Sequence, residues 1–171
     1  MIVTIVSEGS CNAKLALAER LAAHRSLSGR KVLLVDADSE PHPHPPLPVA
    51  AKCVNGKSVG AELENLGMRF QDIVVDADGR DSLGSRAALI AARVVVVPAD
   101  AVHNDPARAI RLADRIANAR LFNPGLRIVI VPCDQPCGTD AACATTILQR
   151  TLPGAELSAS GEALFASVFR N

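Results

Sequence analysis

Four charged residues stand where they could bind a phosphate-bearing ligand and a metal ion. Lys14 lies at the start of a helix-patterned stretch. A short loop separates that stretch from an apolar, strand-like segment at residues 2–6. Asp36 and Asp38 end a second apolar segment, and Asp76 ends a third. A lysine near a helix N-terminus can reach phosphate oxygens, and carboxylates at strand ends can hold magnesium. The pattern therefore predicts a site for a magnesium-nucleotide ligand.

The loop that leads to Lys14 lacks several groups that such a site uses. Phosphate-binding loops point backbone N–H groups at the phosphates, use glycines for close approach, and follow the lysine with a magnesium-binding Ser or Thr. Here Ala13 precedes the lysine, and Leu15 stands where the hydroxyl belongs. We expect the binding of ATP and magnesium to be weak or absent. The candidate nucleotide-binding residues are Ser10, Cys11, Asn12, Ala13, Lys14 and Leu15.

Apolar segments alternate with helix-patterned stretches along the whole chain. Strands are predicted at residues 2–6, 32–35, 73–75, 94–97 and 128–131. Helices are predicted at residues 13 to about 25, 106–121, 140–151 and 162–169. Nearly continuous Val and Ile in the later strands is typical of strands covered by helices on both faces. The prediction is an α/β fold with a doubly wound, mainly parallel sheet in a single domain, residues 1–171.

Composition narrows the classes of partner and the compartment. Eighteen basic residues balance eighteen acidic ones, so no net charge draws the protein to DNA or to an anionic membrane. The absence of Trp and Tyr argues against a stacking platform for single-stranded nucleic acid. The sequence has no signal peptide pattern and no apolar segment of membrane-spanning length, and its five cysteines form an odd set. We therefore expect a cytoplasmic protein.

The cysteines are interpreted as free thiols rather than as metal ligands. The spacing of Cys133, Cys137 and Cys143 matches no zinc ribbon or zinc finger. Cys11 lies inside the predicted phosphate loop. Its oxidation would matter for the site, provided that the thiol is exposed and its thiolate is favoured.

Residues 41–48 form a proline-dense segment that contains two histidines. Proline at this density is incompatible with a helix interior, so we expect an extended surface loop. The segment could serve as a docking peptide or a weak metal binder. A stiff linker is favoured, because a pair of histidines lacks further ligands.

The order of these motifs resembles the ParA/MinD family of deviant Walker P-loop ATPases, in the short plasmid-partition form and with a degenerate Walker A loop. The resemblance rests on the strand, loop and helix around Lys14, on residues 35–38, on the Walker B-like segment 72–76, and on an apolar strand that ends in Pro98. It implies a homodimer that depends on ATP, works with a small adaptor protein, and acts in partition or in the positioning of cell structures.

The resemblance also implies roles for the charged residues. Lys14 would contact the β- and γ-phosphates. Asp38 would position the attacking water, and Asp36 would support the shell of ligands around magnesium. Asp38 and Asp36 are therefore the candidate catalytic residues. Asp76 would hold magnesium through water.

The signature lysine of the family, which reaches across the dimer to the partner's nucleotide, falls at Gly9 in this sequence. Moving the motif so that Glu8 takes the signature position puts Ala13 where the phosphate lysine belongs. Phosphoryl transfer depends on positioning and charge stabilisation, so these losses predict impaired or absent ATP hydrolysis. The alternative is a pseudo-ATPase that binds no nucleotide and serves a conjugation, secretion or polysaccharide-export apparatus.

Three arginines share one face of the predicted helix at residues 106–121. Arg108, Arg111 and Arg115 are spaced by three and four residues and could contact DNA phosphates without sequence specificity. A solvated helix face is the alternative interpretation, since two nearby aspartates, Asp105 and Asp114, reduce the local positive charge.

Overall fold

The computed structural model describes residues 1–9, 11–38, 48–132, 138–158 and 161–170. Within these residues the chain forms seven strands: β1 (Ile2–Ile5), β2 (Val32–Ala37), β3 (Ala50–Cys53), β4 (Asp72–Ala77), β5 (Val94–Pro98), β6 (Arg127–Val131) and β7 (Glu156–Leu157). The α-helices are α1 (Asn12–Leu27), α2 (Val59–Gly67), α3 (Leu83–Ala91), α4 (Pro106–Phe122), α5 (Gly138–Thr151) and α6 (Glu162–Val168). Two short 3₁₀ turns lie at Gly56–Ser58 and Ala99–Val102.

The strands form one sheet in the order β3-β2-β4-β1-β5-β6-β7, and each neighbouring pair is parallel. Side chains alternate along each strand, so the sheet has two apolar faces. One face packs against α2, α3, α4 and α5 through a core that includes Leu63, Leu89 and Ile116. The other face packs against α1 and α6 through a core that includes Leu21 and Leu164. The predicted doubly wound α/β fold is confirmed.

Local sequence explains where the two best-predicted helices begin and end. The Asp105 side chain accepts a hydrogen bond from the Ala107 N–H at 2.8 Å, and Pro106 occupies the first turn of α4. At the end of α1, Gly29 has a φ of +79°, a left-handed conformation that glycine adopts without a steric penalty. Both helices run slightly beyond their predicted ends.

Several elements were not predicted from the sequence. The predicted segments 2–6, 32–35, 73–75, 94–97 and 128–131 correspond to β1, β2, β4, β5 and β6, whereas β3, β7, α2 and α3 were missed. β3 has no apolar run, and all four of its side chains are exposed. Its strand conformation follows from pairing with β2. Residues 41–47 of the proline-dense segment lie outside the described residues, as do Cys133 and Cys137.

No helix in the described part of the chain combines the length and the apolarity that crossing a bilayer requires.

Candidate functional site

The carboxyl ends of three adjacent strands place the predicted acidic residues at one edge of the sheet. Asp36 in β2 and Ile5 in β1 are both in register with Asp76 in β4. The chain leaves β1 through the loop at residues 6–11 and enters α1, whose first turn carries Lys14. The loop, the lysine and the strand ends therefore meet at this edge.

Lys14 is bound by groups of its own chain. Its side chain is 4% exposed, and its Nζ lies 2.8 Å from Asp76 Oδ1 and 3.5 Å from Asp38 Oδ2. The ammonium also donates a hydrogen bond to the carbonyl oxygen of Ala77. The structure thus brings together three of the residues that the sequence singled out, and it places two carboxylates around one cation.

Asp36 has a local structural contact in addition to its place at the strand end. It is 1% exposed, and its Oδ1 accepts a hydrogen bond from the backbone N–H of Asp38 at 3.0 Å. This bond turns the chain at the end of β2 and fixes where Asp38 emerges. Asp36 therefore positions the turn that carries Asp38 towards Lys14.

The loop after β1 lies directly against the segment after β4. The N–H of Gly9 donates to the carbonyl oxygen of Gly79 at 2.8 Å, and Ser7 Oγ donates to the carbonyl oxygen of Gly9 at 2.8 Å. A Cβ at residue 79 would overlap the Gly9 carbonyl oxygen. Glycine at residue 79 is therefore required for the contact between the two segments.

The N-terminus of α1 has the properties of an anion-binding helix end. Its N-cap is Cys11, the side chain of which makes no capping hydrogen bond, and the first turn carries no acidic residue. The helix dipole is therefore not compensated by a carboxylate of its own first turn. The Lys14 side chain also starts in this turn, and its ammonium is paired with Asp76 and Asp38. Ala13 and Leu15 are half-buried in this turn, Asn12 begins the helix, and Ser10 lies outside the described residues.

Cys11 does not meet the condition set for a redox-sensitive thiol. It is 8% exposed. Burial and, to a lesser extent, the nearby Asp100 carboxylate raise the pKa of the thiol from 9.0 to about 12. The thiol is therefore protonated at physiological pH and poorly accessible, so the expectation that its oxidation would matter is not supported.

The sequence did not reveal how Glu8 is bound. Arg115 Nη2 donates to Glu8 Oε2 at 2.7 Å and to the carbonyl oxygen of Ser7 at 2.7 Å, and Arg111 Nε donates to Glu8 Oε1 at 2.9 Å. Arg108 Nη1 lies 3.5 Å from the carbonyl oxygen of Glu8. Three of the arginines of α4 thus contact the loop after β1, and we call them, with Glu8, the loop arginine cluster.

The three arginines differ in exposure, which changes the picture of a shared basic surface. The side chain of Arg111 is 55% exposed and that of Arg108 is 38% exposed, but that of Arg115 is only 7% exposed. Burial lowers the pKa of Arg115, and the Glu8 carboxylate acts in the opposite direction. Arg115 is therefore an internal link between α4 and the loop rather than part of an exposed stripe.

The residues present fit the phosphate half of a nucleotide site better than the magnesium half. An uncapped helix N-terminus and Lys14 suit phosphate oxygens. Leu15 offers no oxygen to a metal, and Asp76 already lies against Lys14. Among the described residues no group of three or more His, Cys, Asp or Glu side chains is arranged to hold a metal ion.

Neither a protein-family model nor a curated protein sequence matches this chain. Solved structures do share its fold. Apo McdA of Cyanothece has a TM-score of 0.67 at 17% identity, over 96% of this chain and 88% of that chain. Cobyrinic acid a,c-diamide synthase of Mycobacterium smegmatis, with a bound ATP analog and magnesium, has a TM-score of 0.66 at 16% identity, over 93% and 85%. MinD of Aquifex aeolicus has a TM-score of 0.61 at 13% identity, over 99% and 86%.

These structures are ParA/MinD-type P-loop ATPases, and the chain has their fold. At identities of 13% and 17% the likeness establishes the architecture and leaves the activity to be argued from the site. The resemblance predicted from the order of the sequence motifs is confirmed at the level of the fold.

Proposed function

We propose that this protein is a ParA-like positioning protein with impaired or absent ATP hydrolysis, acting through nucleotide-influenced dimerisation and partner binding. The observation that carries the proposal is the convergence of Lys14, Asp38 and Asp76 beside the N-terminus of α1. A lysine at the start of the first helix reaches nucleotide phosphates in this fold, and strand-end carboxylates can serve the metal and the attacking water. Asp36 supports this group by fixing the turn that carries Asp38.

Binding of the phosphates is assigned to the loop and the first turn of α1. Lys14 would exchange its carboxylate and carbonyl contacts for phosphate oxygens, and the backbone N–H groups at the N-terminus of α1 would line the same anion. Among the solved structures with this fold, a McdA variant binds ATP, and the diamide synthase binds an ATP analog together with magnesium.

Impairment is assigned to the magnesium half of the site and to the missing cross-subunit lysine. A bound magnesium ion would neutralise charge on the phosphates, and here the carboxylates of Asp76 and Asp36 remain, without a hydroxyl at Leu15. Phosphoryl transfer loses its largest stabilising term when metal and cation are both lacking. We therefore expect nucleotide binding to outlast hydrolysis.

The functional form is proposed to be a homodimer that engages a small adaptor or apparatus protein in the cytoplasm. The MinD of Aquifex aeolicus, one of the solved structures with this fold, is named as a cell division protein. Contact with DNA through Arg108, Arg111 and Arg115 remains a weaker proposal, because two of these arginines bind Glu8.

One observation favours a second candidate, a pseudo-ATPase that binds no nucleotide and acts as an interaction module of a conjugation, secretion or polysaccharide-export apparatus. Lys14 and the N–H of Gly9 are both engaged by atoms of the same chain. A site that satisfies its own donors has less to gain from a phosphate.

Calorimetric titration with ATP and ADP, with and without magnesium, separates the two candidates. The main proposal expects ATP to bind and to raise the free energy of unfolding by RT ln(1 + [L]/Kd), about 2.7 kcal/mol at one hundred times Kd. Light scattering on the same samples reports whether ATP changes the oligomeric state. The pseudo-ATPase candidate expects neither effect at millimolar ATP.

The matched variant must remove the lysine without leaving a buried charge behind. Lys14→Met combined with Asp76→Asn removes both charges of the 2.8 Å pair. Under the main proposal this double variant stays folded and loses ATP binding. ATP affinity that is equal in the wild type and the double variant would assign binding to another site and contradict the proposal.

A further inference from the structure

The guanidinium of Arg108 lies next to the position that a side chain at residue 9 would occupy. A Cβ built on Gly9 would be 3.3 Å from Arg108 Nη1 and 4.0 Å from Arg108 Cζ. Residue 9 is where the signature lysine falls in the resemblance to the ParA/MinD family. Arg108 therefore places a guanidinium beside residue 9, the position at which this sequence lacks the lysine of the family.

Gly9 accommodates this arrangement in two ways. Its φ of +93° lies in the left-handed region, which glycine adopts without strain. Any larger residue would also push against the Arg108 guanidinium. The loss of a side chain at residue 9 and the presence of the arginine beside it are thus sterically coupled.

The contacts of Arg108 are weaker than those of its two neighbours on α4. Its Nε is 3.6 Å from Asp105 Oδ2, and its Nη1 is 3.5 Å from the carbonyl oxygen of Glu8, both long for a charge-assisted hydrogen bond. Arg111 and Arg115 instead bind the Glu8 carboxylate at 2.9 Å and 2.7 Å. Arg108 can therefore exchange its partners at lower cost than the other two.

The loop arginine cluster also offsets the negative charge of Glu8. A single carboxylate next to a triphosphate would repel it. Here two guanidinium groups meet that one carboxylate, and the third, Arg108, lies beside Gly9. The repulsion that Glu8 would exert on an anion is thus reduced by its two guanidinium partners.

We propose that Arg108 is a phosphate-binding residue that supplies, within the same chain rather than across a dimer, the positive charge that residue 9 lacks, and that it binds the terminal phosphate of a nucleoside triphosphate. The inference rests on the proposed nucleotide-binding function. A guanidinium presents a planar pair of donors that matches two phosphate oxygens, which an ammonium does not. Arginines that stabilise a terminal phosphate act both within one chain and between chains in other P-loop proteins.

The experiment compares ATP and ADP affinity by calorimetry in the wild type and in four variants: Arg108→Ala, Arg108→Gln, Arg108→Lys and Arg69→Ala. Arg69 is exposed and lies just before the start of β4, at the opposite end of that strand from the loop. Arg69→Ala therefore removes one positive charge, as Arg108→Ala does, but at a position away from the site. Urea unfolding of each variant confirms that it is folded.

Arg108→Ala and Arg108→Gln are expected to weaken ATP binding by about 10-fold to 100-fold and ADP binding by less than about 3-fold, since only ATP carries the terminal phosphate. Arg108→Lys should recover part of the ATP affinity, because it restores charge without the fork. Arg69→Ala should match the wild type. A purely structural role for Arg108 would change both nucleotides equally.

Two failures are distinguishable. If the wild type binds ATP and Arg108→Ala and Arg108→Gln keep the wild-type ratio of ATP to ADP affinity, the inference about Arg108 is wrong while the proposed function stands. If the wild type binds neither nucleotide at millimolar concentration, the proposed function is wrong and the inference is overturned with it.

Discussion

Glu8 joins the loop after β1 to helix α4, because its two carboxylate oxygens accept from Arg115 at 2.7 Å and from Arg111 at 2.9 Å. The partners are separated by 107 and 103 residues in the chain. A residue that looked like a source of repulsion in the sequence is thus an anchor of the loop. The anchor is strongest at Arg115, which is buried and also donates to the Ser7 carbonyl oxygen.

Replacing Arg115 should destabilise the protein far more than replacing Arg111. Arg115→Met leaves Glu8 and the Ser7 carbonyl without a buried donor, and we expect a loss of about 2–4 kcal/mol in the free energy of unfolding. Arg111→Met removes an exposed contact to the same carboxylate and should cost less than about 1 kcal/mol. Urea unfolding measures both, and equal losses would show that Arg115 is not a buried anchor.

Adding one methyl group at Gly79 should disturb the loop without touching the core. A Cβ there would overlap the Gly9 carbonyl oxygen and lie 2.7 Å from its carbon, and both are backbone atoms. Gly79→Ala should therefore cost about 1–3 kcal/mol, as overpacking does. Gly67→Ala, at the end of α2 with no atom within 4 Å of the added Cβ, should be neutral or stabilising by up to about 1 kcal/mol. A Gly79→Ala variant as stable as the wild type would contradict the close contact of the two segments.

Asp72 should contribute stability that is lost in acid. Burial raises the pKa of this fully buried carboxyl, but hydrogen bonds from Arg30 and Arg25 at 3.0 Å and 2.8 Å lower it more, and its net pKa lies below the ordinary value of 3.8. Since the pKa is depressed in the folded state, the stability is present above pH 3.8 and disappears as the pH falls through the folded pKa.

Asp72→Asn should therefore cost about 2–4 kcal/mol at pH 7, and this difference should shrink as the pH falls below 3.8. The control is Asp81→Asn, which removes a surface pair with Arg86 whose side chains are 44% and 60% exposed. Its effect should stay below about 1 kcal/mol. A difference between wild type and Asp72→Asn that does not depend on pH would exclude the ionised carboxylate as the cause.

Cys11 should resist alkylation while the protein is folded. Its pKa of about 12 keeps the thiol neutral at pH 8, and its burial denies access to the reagent. Cys53 is exposed and should react before Cys11. Iodoacetamide treatment followed by peptide mass spectrometry resolves the two, and full reactivity of Cys11 should appear only in denaturant.

The same thiol gives a pH dependence at the alkaline end. Its pKa is raised from 9.0 to about 12 on folding, so the folded state is favoured below pH 9 and loses this component as the pH rises towards 12. Cys11→Ala should flatten that part of the stability profile. An unchanged profile would mean that the thiol ionises equally in both states.

Sequence patterns predicted the elements that carry strong apolar runs or clear caps, and missed those that depend on distant partners. The Val and Ile runs of β4, β5 and β6 were sufficient, as were Pro106 and Asp105 for α4. The start of α3 carried a usable signal, since Ser82 accepts a hydrogen bond from the Ser85 N–H, an N-cap spacing visible in the sequence. β3 carried none, because its four exposed residues become a strand through pairing with β2.

The meeting of Lys14 with Asp38 and Asp76 was predictable from the sequence, but the contacts of Glu8 were not. Strand-end aspartates and a first-turn lysine were expected to meet, because parallel strands end at a common edge. The pairing of Glu8 with Arg115 joins residues 107 apart, and no local period reports such a distance. For the same reason the helical spacing of the arginines placed them on one face but did not reveal which of them is buried.

The loop of residues 7–9 is held from opposite sides of the sheet. It leads into α1, which packs on one face, and it is bound by Arg115 of α4, which packs on the other. An anion that moved this loop outward would therefore act on helices of both layers, which the sheet separates. Binding of an anion at this edge of the sheet is therefore expected to change the packing of helices on both faces.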